Sequence, residues 1–485
     1  MRNHIGIILP TAFSLCLTAY FPGTQKQAHA QQIVSCPLTI PDVPATTVSG
    51  EMLNDVCIPE AFPSNPIDFF DDYSWRAFLA LVWPAKDGER GKPDLSAPIG
   101  KAGSPLVFET FKSEWEIFQR DGAVPAGWNE IGSENPCAMA GLTSKDLVLA
   151  AFSKFANVGQ AGAAGDLVGP LVGQNKTYVR FQTAFNQVEF DHIVDRKLYR
   201  RENVSNVVFE NGAVDLKASW ILMDGVANPE RFYTRHAFVM NLETDKCEDR
   251  LVGLVGLHIV HKTPSRPQWI WSTFEHADNV PESGGTGHGA SFNAGDGVKM
   301  PDSNPFNFPP SPQAPAPFNV ERIKPIHSQT EATNARYREA LAAGGSVWQN
   351  YKLVMTQWPL TPNAPEIDGK PPNTFPGKGT DTTSFANTTL ETFEQKKIVT
   401  GCMNCHNTVQ GSSDFLWTLS TRSWPSLLAI VNSQPPSPGT LFAQKVDPKL
   451  FTESAVPLTP LELPNAQLNE FLELRELLQS AHDSN

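Results

Sequence analysis

An α+β fold is predicted: an antiparallel, β-rich N-terminal region with flanking helices, followed by a small all-helical C-terminal unit. Three features carry this expectation. Apolar residues recur at the helical spacing of three and four between 67 and 155, and they alternate with the strand period of two between 178 and 275. After a Pro- and Gly-rich stretch at 359–380 the helical spacing returns. The division that follows is a leader at 1–30, an extended arm at 31–66, an α+β domain at 67–358, a linker at 359–380 and the helical unit at 381–485.

The leader has Arg2 and His4 ahead of an apolar run at 5–17 and a small-residue site at Ala28-His29-Ala30. This pattern is a cleaved signal peptide, with cleavage after Ala30, and it assigns the mature chain to the periplasm or the exterior. Leu15 stands where a lipoprotein signal has a small residue before its cysteine. No later apolar run approaches the roughly 18 residues of a membrane span. The chain has 38 Lys and Arg against 51 Asp and Glu, a formal charge of −13. That balance does not suit nucleic acid; it suits a basic protein partner.

Of the seven cysteines, Cys16 leaves with the leader and Cys402 and Cys405 belong to the motif below. Cys36, Cys57, Cys137 and Cys247 remain, an even number in an oxidising compartment, and three pairings are open. Cys36 with Cys57 closes a short loop, which pairs Cys137 with Cys247.

In chain order, a helix at 67–83 shows Phe70, Tyr73, Ala77, Phe78 and Leu81 on one face, acidic residues in its first turns and Pro84 as its stop. Further helices are expected at 104–120, where Phe108, Phe111, Trp115 and Phe118 make an aromatic face, and at 147–155. Strands follow at 178–184, 214–222, 232–240, 251–262 and 269–275, and Asn211-Gly212 signals a hairpin between 207–209 and 214–222. A Gly-rich loop at 283–298 and a Pro-rich connector at 301–325 lead to a helix opened by Ser328 and Glu331 and closed at Gly344, then to a strand at 347–358 carrying Met355.

The strands at 251–262 and 269–275 contain His258, His261 and, just beyond, His276. A turn at Pro264 to Pro267 sets His258 opposite Thr273 and places His258 and Glu275 on one face, a candidate acid–base pair. His261 and His276 share the other face but stand about six residues apart, roughly 20 Å at 3.3 Å per residue, too far to grip one metal.

The chemistry-bearing stretch is Cys402-Met403-Asn404-Cys405-His406. In C-x-x-C-H the two sulfurs on one helical turn can form thioethers to a haem, and the next residue presents an imidazole to the iron. A thioredoxin-like pair would need a preceding strand, and a zinc site about two further ligands; neither context surrounds it. Thr388 and Glu391 cap an expected helix to 399, and helices are expected at 424–431 and 468–481. This order of elements around the motif resembles a class I cytochrome c domain, and W-R-A-F-L-A-L-V-W-P, Q-W-I-W-S-T-F-E-H-A-D-N and N-Y-K-L-V-M-T-Q-W-P resemble exported bacterial mono-haem proteins of the cytochrome c family. The resemblance implies one covalent haem c on Cys402 and Cys405 with His406 as proximal ligand, and electron transfer with a redox partner protein. No Met follows Met403. The sixth iron position is therefore open, filled by an unusual group such as Lys445 or Lys449, or filled from upstream by Met355, His276 or His258. An open position would instead suit a haem enzyme acting on peroxide, oxygen or a small substrate. No catalytic residue is assigned.

Overall fold

The computed structural model describes residues 50–57, 66–100, 103–119, 121–132, 134–151, 170–281, 289–302, 304–306, 311–359, 385–396, 401–406 and 413–424. The leader, Cys16, Cys36, most of the arm, the tip of the Gly-rich loop, nearly all of the linker, the helix expected at 468–481, Lys445 and Lys449 lie outside them.

The strands are β1 (Lys112–Ser113), β2 (Val148–Leu149), β3 (Arg180–Phe185), β4 (Val214–Leu222), β5 (Thr234–Asn241), β6 (Lys246–Thr263), β7 (Arg266–His276) and β8 (Tyr351–Gln357). The helices are α1 (Ile67–Leu81), α2 (Glu114–Ile117), α3 (Gln187–Asp195), α4 (Ser328–Ala343), α5 (Cys402–His406) and α6 (Trp417–Arg422). All eight strands join one sheet, in the order β1-β3-β4-β6-β5-β2, with β7 between β6 and β8. The sheet is mixed: β2 runs parallel to β5 and every other pair is antiparallel.

Strand β6, 18 residues long, is the spine. Along one edge β4 pairs with Val252 to His261. Along the other, β5 takes Lys246 to Gly253 and β7 takes Gly256 to Thr263. The sheet thus forks where two neighbours share one strand, and register shifts in β4–β6, β6–β7 and β7–β8 curl it. Helices α1 and α4 cover one face. The Trp75 ring stacks on Tyr337 at 5.0 Å, Phe78 stacks on Phe274 at 4.3 Å, and Trp75 Nε1 donates to Asn334 Oδ1 at 3.1 Å. Ser74 of α1 hydrogen-bonds both Ser272 and Thr356 at 2.7 Å, joining the helix to β7 and β8. The other face is covered by α3, α5, α6 and the turns at 385–396. Cys137 and Cys247 form a disulfide that ties a long loop to the start of β6, and Cys57 is also disulfide-bonded. No helix among the described residues is long and apolar enough to cross a membrane.

Two expectations about fold class are overturned. The sheet is mixed, because β2, part of a segment expected as helix 147–155, adds in parallel to β5. The described parts of 385–424 do not form an all-helical haem domain. Leu390 and Phe393 pack in one core with Val179, Phe181 and Val255, while Met403, Phe415, Leu416 and Leu419 share a core with the sheet's Trp220, Leu257 and Trp271. These segments cover the sheet and do not make a core of their own. The described part of the expected helix 388–399, residues 388–396, is a set of turns that includes the 3₁₀ turn Glu394–Lys396, because Asn387, Thr388 and Thr389 spend their hydrogen bonds on the sheet. The helix expected at 104–120 is broken into a 3₁₀ turn at Phe108–Thr110, β1 and α2. No strand runs at 207–209; Gly212, at φ +95°, bends the chain into β4, which pairs instead with β3 and β6. The helix expected at 424–431 lies, apart from Trp424, outside the described residues; α6 is a separate helix that ends at Arg422.

Asp71 of α1 is fully buried, accepting from Thr330 and Thr356 hydroxyls at 2.7 Å. Burial raises its carboxyl from the ordinary 3.8 to about 7 against the help of those donors. The folded chain then binds this proton more tightly than the unfolded chain. Its contribution to stability is complete below the unfolded value near 3.8 and is lost as pH rises through about 7. Denaturant titrations at pH 5 and pH 8 should show Asp71→Asn losing less stability over that interval than the wild type, with a difference on the order of 2–4 kcal/mol.

Gly256 lies where a Cβ would stand 2.4 Å from Thr389 Oγ1 and 2.6 Å from Ser219 Oγ, which leaves room only for glycine. Gly256→Val should lift the 385–396 turns off the sheet and cost about 1–3 kcal/mol in thermal or denaturant unfolding.

Candidate functional site

Helix α5 carries the C-x-x-C-H motif and is set against the polar face of the sheet. The Met403 amide donates to Gln357 Oε1 at 2.9 Å, and Gln357, fully buried at the end of β8, fixes the first turn of the helix to the sheet. His406, one turn on, lies beside Trp271 of β7 with ring centroids 4.4 Å apart. Its Nδ1–H donates to the Phe415 carbonyl at 2.6 Å. A carbonyl only accepts, so this bond selects the tautomer whose lone pair is on Nε2, as a metal-ligating imidazole requires.

The backbone that presents this carbonyl is strained. Asp414 and Phe415 both have positive φ, 51° and 72°, a region that costs a non-glycine residue about 1 kcal/mol or more. Several bonds hold them there. The Asp414 carboxylate accepts from Lys262 Nζ at 2.7 Å and the Phe209 amide at 2.9 Å, and its carbonyl accepts from Trp269 Nε1 at 3.0 Å.

Cys402 and His406 line one narrow cavity of about 40 Å³. Val260, Trp271, Phe385 and Leu416 supply apolar wall; Asp215, Lys217, His258, Glu391 and Glu394 supply charge. The register explains the sheet side. Lys217 pairs with His258 and Asp215 with Val260 across β4 and β6, and His258 and Val260 pair with Thr273 and Trp271 across β6 and β7. These side chains therefore project from one face.

Buried His258 and partly exposed Glu391 pair through Nε2 and Oε1. Asn387 places the glutamate. Its side-chain amide donates to Thr273 Oγ1 at 3.0 Å and the Phe274 carbonyl at 2.8 Å, while its backbone amide donates to Glu391 Oε2 at 2.8 Å. Lys217, 5% exposed, is pushed below the usual lysine range by burial, against the pull of Asp215 and Glu391. Glu189 of α3 is fully buried, and burial, then the charges of Asp215 and Asp414, raise its carboxyl well above the usual range.

The structure separates the other expected site residues. His258 stands opposite Thr273 as expected, but its carboxylate is Glu391, not Glu275. Glu275 is ion-paired with Arg322 and accepts from Thr388 N and Oγ1 at 3.1 and 2.9 Å. Burial pushes the Glu275 carboxyl up, and Arg322 and Lys352 outweigh it, so it lies below its usual value. Of the upstream groups considered for the sixth iron position, His258 lines the cavity. Met355 does not: its sulfur lies 3.8 Å from the Thr330 hydroxyl at the start of α4. His276 does not either. Its ring stacks on Phe232 at 3.8 Å, Nε2–H donates to the Arg231 carbonyl and Nδ1 accepts from the Asp278 amide, both at 3.1 Å. Burial lowers His276 to about 4, which keeps it neutral. His261 is on the α1 face, bonded to the Tyr73 hydroxyl.

Asp215, Lys217, Asn387, Glu391 and Glu394 are the members that the sequence pattern does not single out. The Cys405 side chain lies outside the described residues. Among the described residues, no group of three or more His, Cys, Asp and Glu side chains is placed to hold a bare metal ion. A thiol, Cys402, and a tautomer-fixed imidazole, His406, share one cavity with apolar walls.

Asn387→Ala would leave the Phe274 carbonyl and the Thr273 hydroxyl without their donor. It should cost about 1–3 kcal/mol and speed proteolytic cleavage within 385–396 before global unfolding.

Comparison with known families, with curated proteins and with solved structures finds no match to this chain.

Proposed function

We propose that the chain is an exported mono-haem c-type cytochrome, with one haem held covalently by Cys402 and Cys405, His406 as its axial ligand, and electron exchange with a partner protein as its work. The observation that carries this proposal is the shared cavity of Cys402 and His406, together with the Phe415 carbonyl that fixes the imidazole tautomer. A bound haem would supply one-electron chemistry at a potential set by ligation and surroundings. The protein's own part is to hold and orient. Trp271 and the Phe415 carbonyl fix the His406 ring, Gln357 fixes the helix start, and Val260, Phe385 and Leu416 give the cavity apolar wall. The formal charge of −13 suits a basic redox partner, and the leader pattern at 1–30 supports an exchange in the periplasm or outside the cell.

One observation favours a second use of the same site, turnover of peroxide, oxygen or another small substrate. The His258–Glu391 pair in the cavity wall is an arrangement suited to moving a proton.

Intact-mass measurement on protein exported from a host with haem-attachment machinery should show the increment of one haem, and Cys402→Ser/Cys405→Ser should lose it. Ferric and ferrous absorption spectra then separate the two uses. A low-spin spectrum indifferent to carbon monoxide and peroxide selects electron transfer; rapid carbon monoxide binding with peroxide-dependent dye oxidation selects catalysis. A mass without haem would sink both.

A further inference from the structure

The bond that fixes the His406 tautomer is itself held from the far end of the sheet. The Phe415 carbonyl that accepts from His406 Nδ1 at 2.6 Å belongs to a backbone with positive φ at both Asp414 and Phe415. Trp269, near the start of β7, also has positive φ, +69°. Trp269 and Phe415 are the aromatic residues with that backbone among the described residues, and a bulky side chain stays there only where its surroundings over-determine it. The two meet at Asp414. Trp269 Nε1 donates to the Asp414 carbonyl at 3.0 Å, and Lys262 Nζ, at the end of β6, donates to the Asp414 carboxylate at 2.7 Å and to the Pro267 carbonyl at 2.6 Å. Lys262 is 3% exposed and its ammonium lies 5.4 Å from the centre of the Trp269 ring. Lys262 and Asp414 are 152 residues apart in sequence, so the contact pins the covering layer to the hairpin of β6 and β7.

We propose that Lys262 is a positioning residue for the iron ligand. Through Asp414 it locks the turn before α6, and the locked turn keeps the Phe415 carbonyl on His406 Nδ1, so that the imidazole carries its lone pair on Nε2. The inference rests on the haem assignment above. A hydrogen bond from the far ring nitrogen to a carbonyl raises the basicity of the ligating nitrogen, and a more basic ligand favours the oxidised iron. Lys262 therefore lowers the midpoint through geometry. As a bare cation it would raise the midpoint, because positive charge opposes the extra positive charge of the oxidised state.

Two variants of the full chain test this: Lys262→Met, and Lys262→Met/Asp414→Asn, which removes both charges together and leaves the net charge unchanged. In the haem-loaded protein, at fixed pH and ionic strength, each should shift the reduction equilibrium about threefold toward the reduced form, a rise of about 28 mV for one electron. In the haem-free chain, ring-nitrogen chemical shifts of histidine-labelled protein should show His406 passing from the tautomer with its proton on Nδ1 to a mixture. The double variant leaves no unpaired buried charge, so it decides the matter if the single variant does not fold. A midpoint that is unmoved or lowered in every folded variant, or a His406 tautomer unchanged in all of them, overturns the inference. A chain without covalent haem by intact mass overturns the haem assignment, and the tautomer then decides by itself whether Lys262 positions His406.

Discussion

The rest of the structure depends on β6 being paired along both edges and covered on both faces. Its backbone groups find partners in β4 on one side and in β5 and then β7 on the other, so the middle of the sheet has no open edge. Covering both faces has a chemical consequence. Strand β4 is buried at all nine positions, so its Asp215 and Lys217, which a half-solvated sheet would turn to water, lie inside the protein. The charged face is then a necessity of the layering, and every segment laid over it must bring polar partners.

Those partners come in a consistent form. Asn387 meets β7, Thr389 meets Ser219 at 2.8 Å, Thr388 meets Glu275 and Asp414 meets Lys262. Nearby, Arg90 makes a bidentate contact to Glu116 at 2.9 and 2.7 Å and donates to the Phe111 and Trp128 carbonyls, joining loops that carry little regular structure. Buried ion pairs add little net stability against an apolar replacement, but losing one partner of a pair costs about 3–5 kcal/mol. Such contacts fix which segment lies where. Stability itself comes from the apolar side, where the aromatic cluster of Trp75, Phe78, Phe274, Tyr337 and Trp348 joins α1 and α4 to the sheet.

What was legible in the sequence follows the same division. Helices α1 and α4 and strands β4 to β8 stand close to where period and punctuation place them, and the Pro264–Pro267 turn sets His258 opposite Thr273. Helix α1 and the strands show apolar residues at regular spacing, and α4, which buries Thr330, Thr333, Asn334, Tyr337 and Leu341, is marked instead by its start and stop residues. Legibility fails where a segment is buried through polar groups. The 385–396 turns have capping residues that suggest a helix, yet Asn387 and Thr389 bond the sheet instead. Phe108 and Phe111 recur at helical spacing but enter the core from a 3₁₀ turn and the extended residue that follows it. Within the site, Cys402 and His406 were legible because their chemistry needs a fixed local spacing. Lys217, Glu391 and Asn387 were not, since their meeting depends on a second covering layer that period-2 alternation does not reveal.

The shared wall also sets a timetable. Its residues extend from Asp215 to Leu416, so no part of the cavity exists until some two hundred residues of chain have been gathered, and contacts of such long range form slowly. The C-x-x-C-H turn, by contrast, is local and complete in five residues. The Asp414–Phe415 backbone, held by Lys262 and Phe209, belongs with the long-range part, so the carbonyl that orients His406 is fixed only once the sheet is.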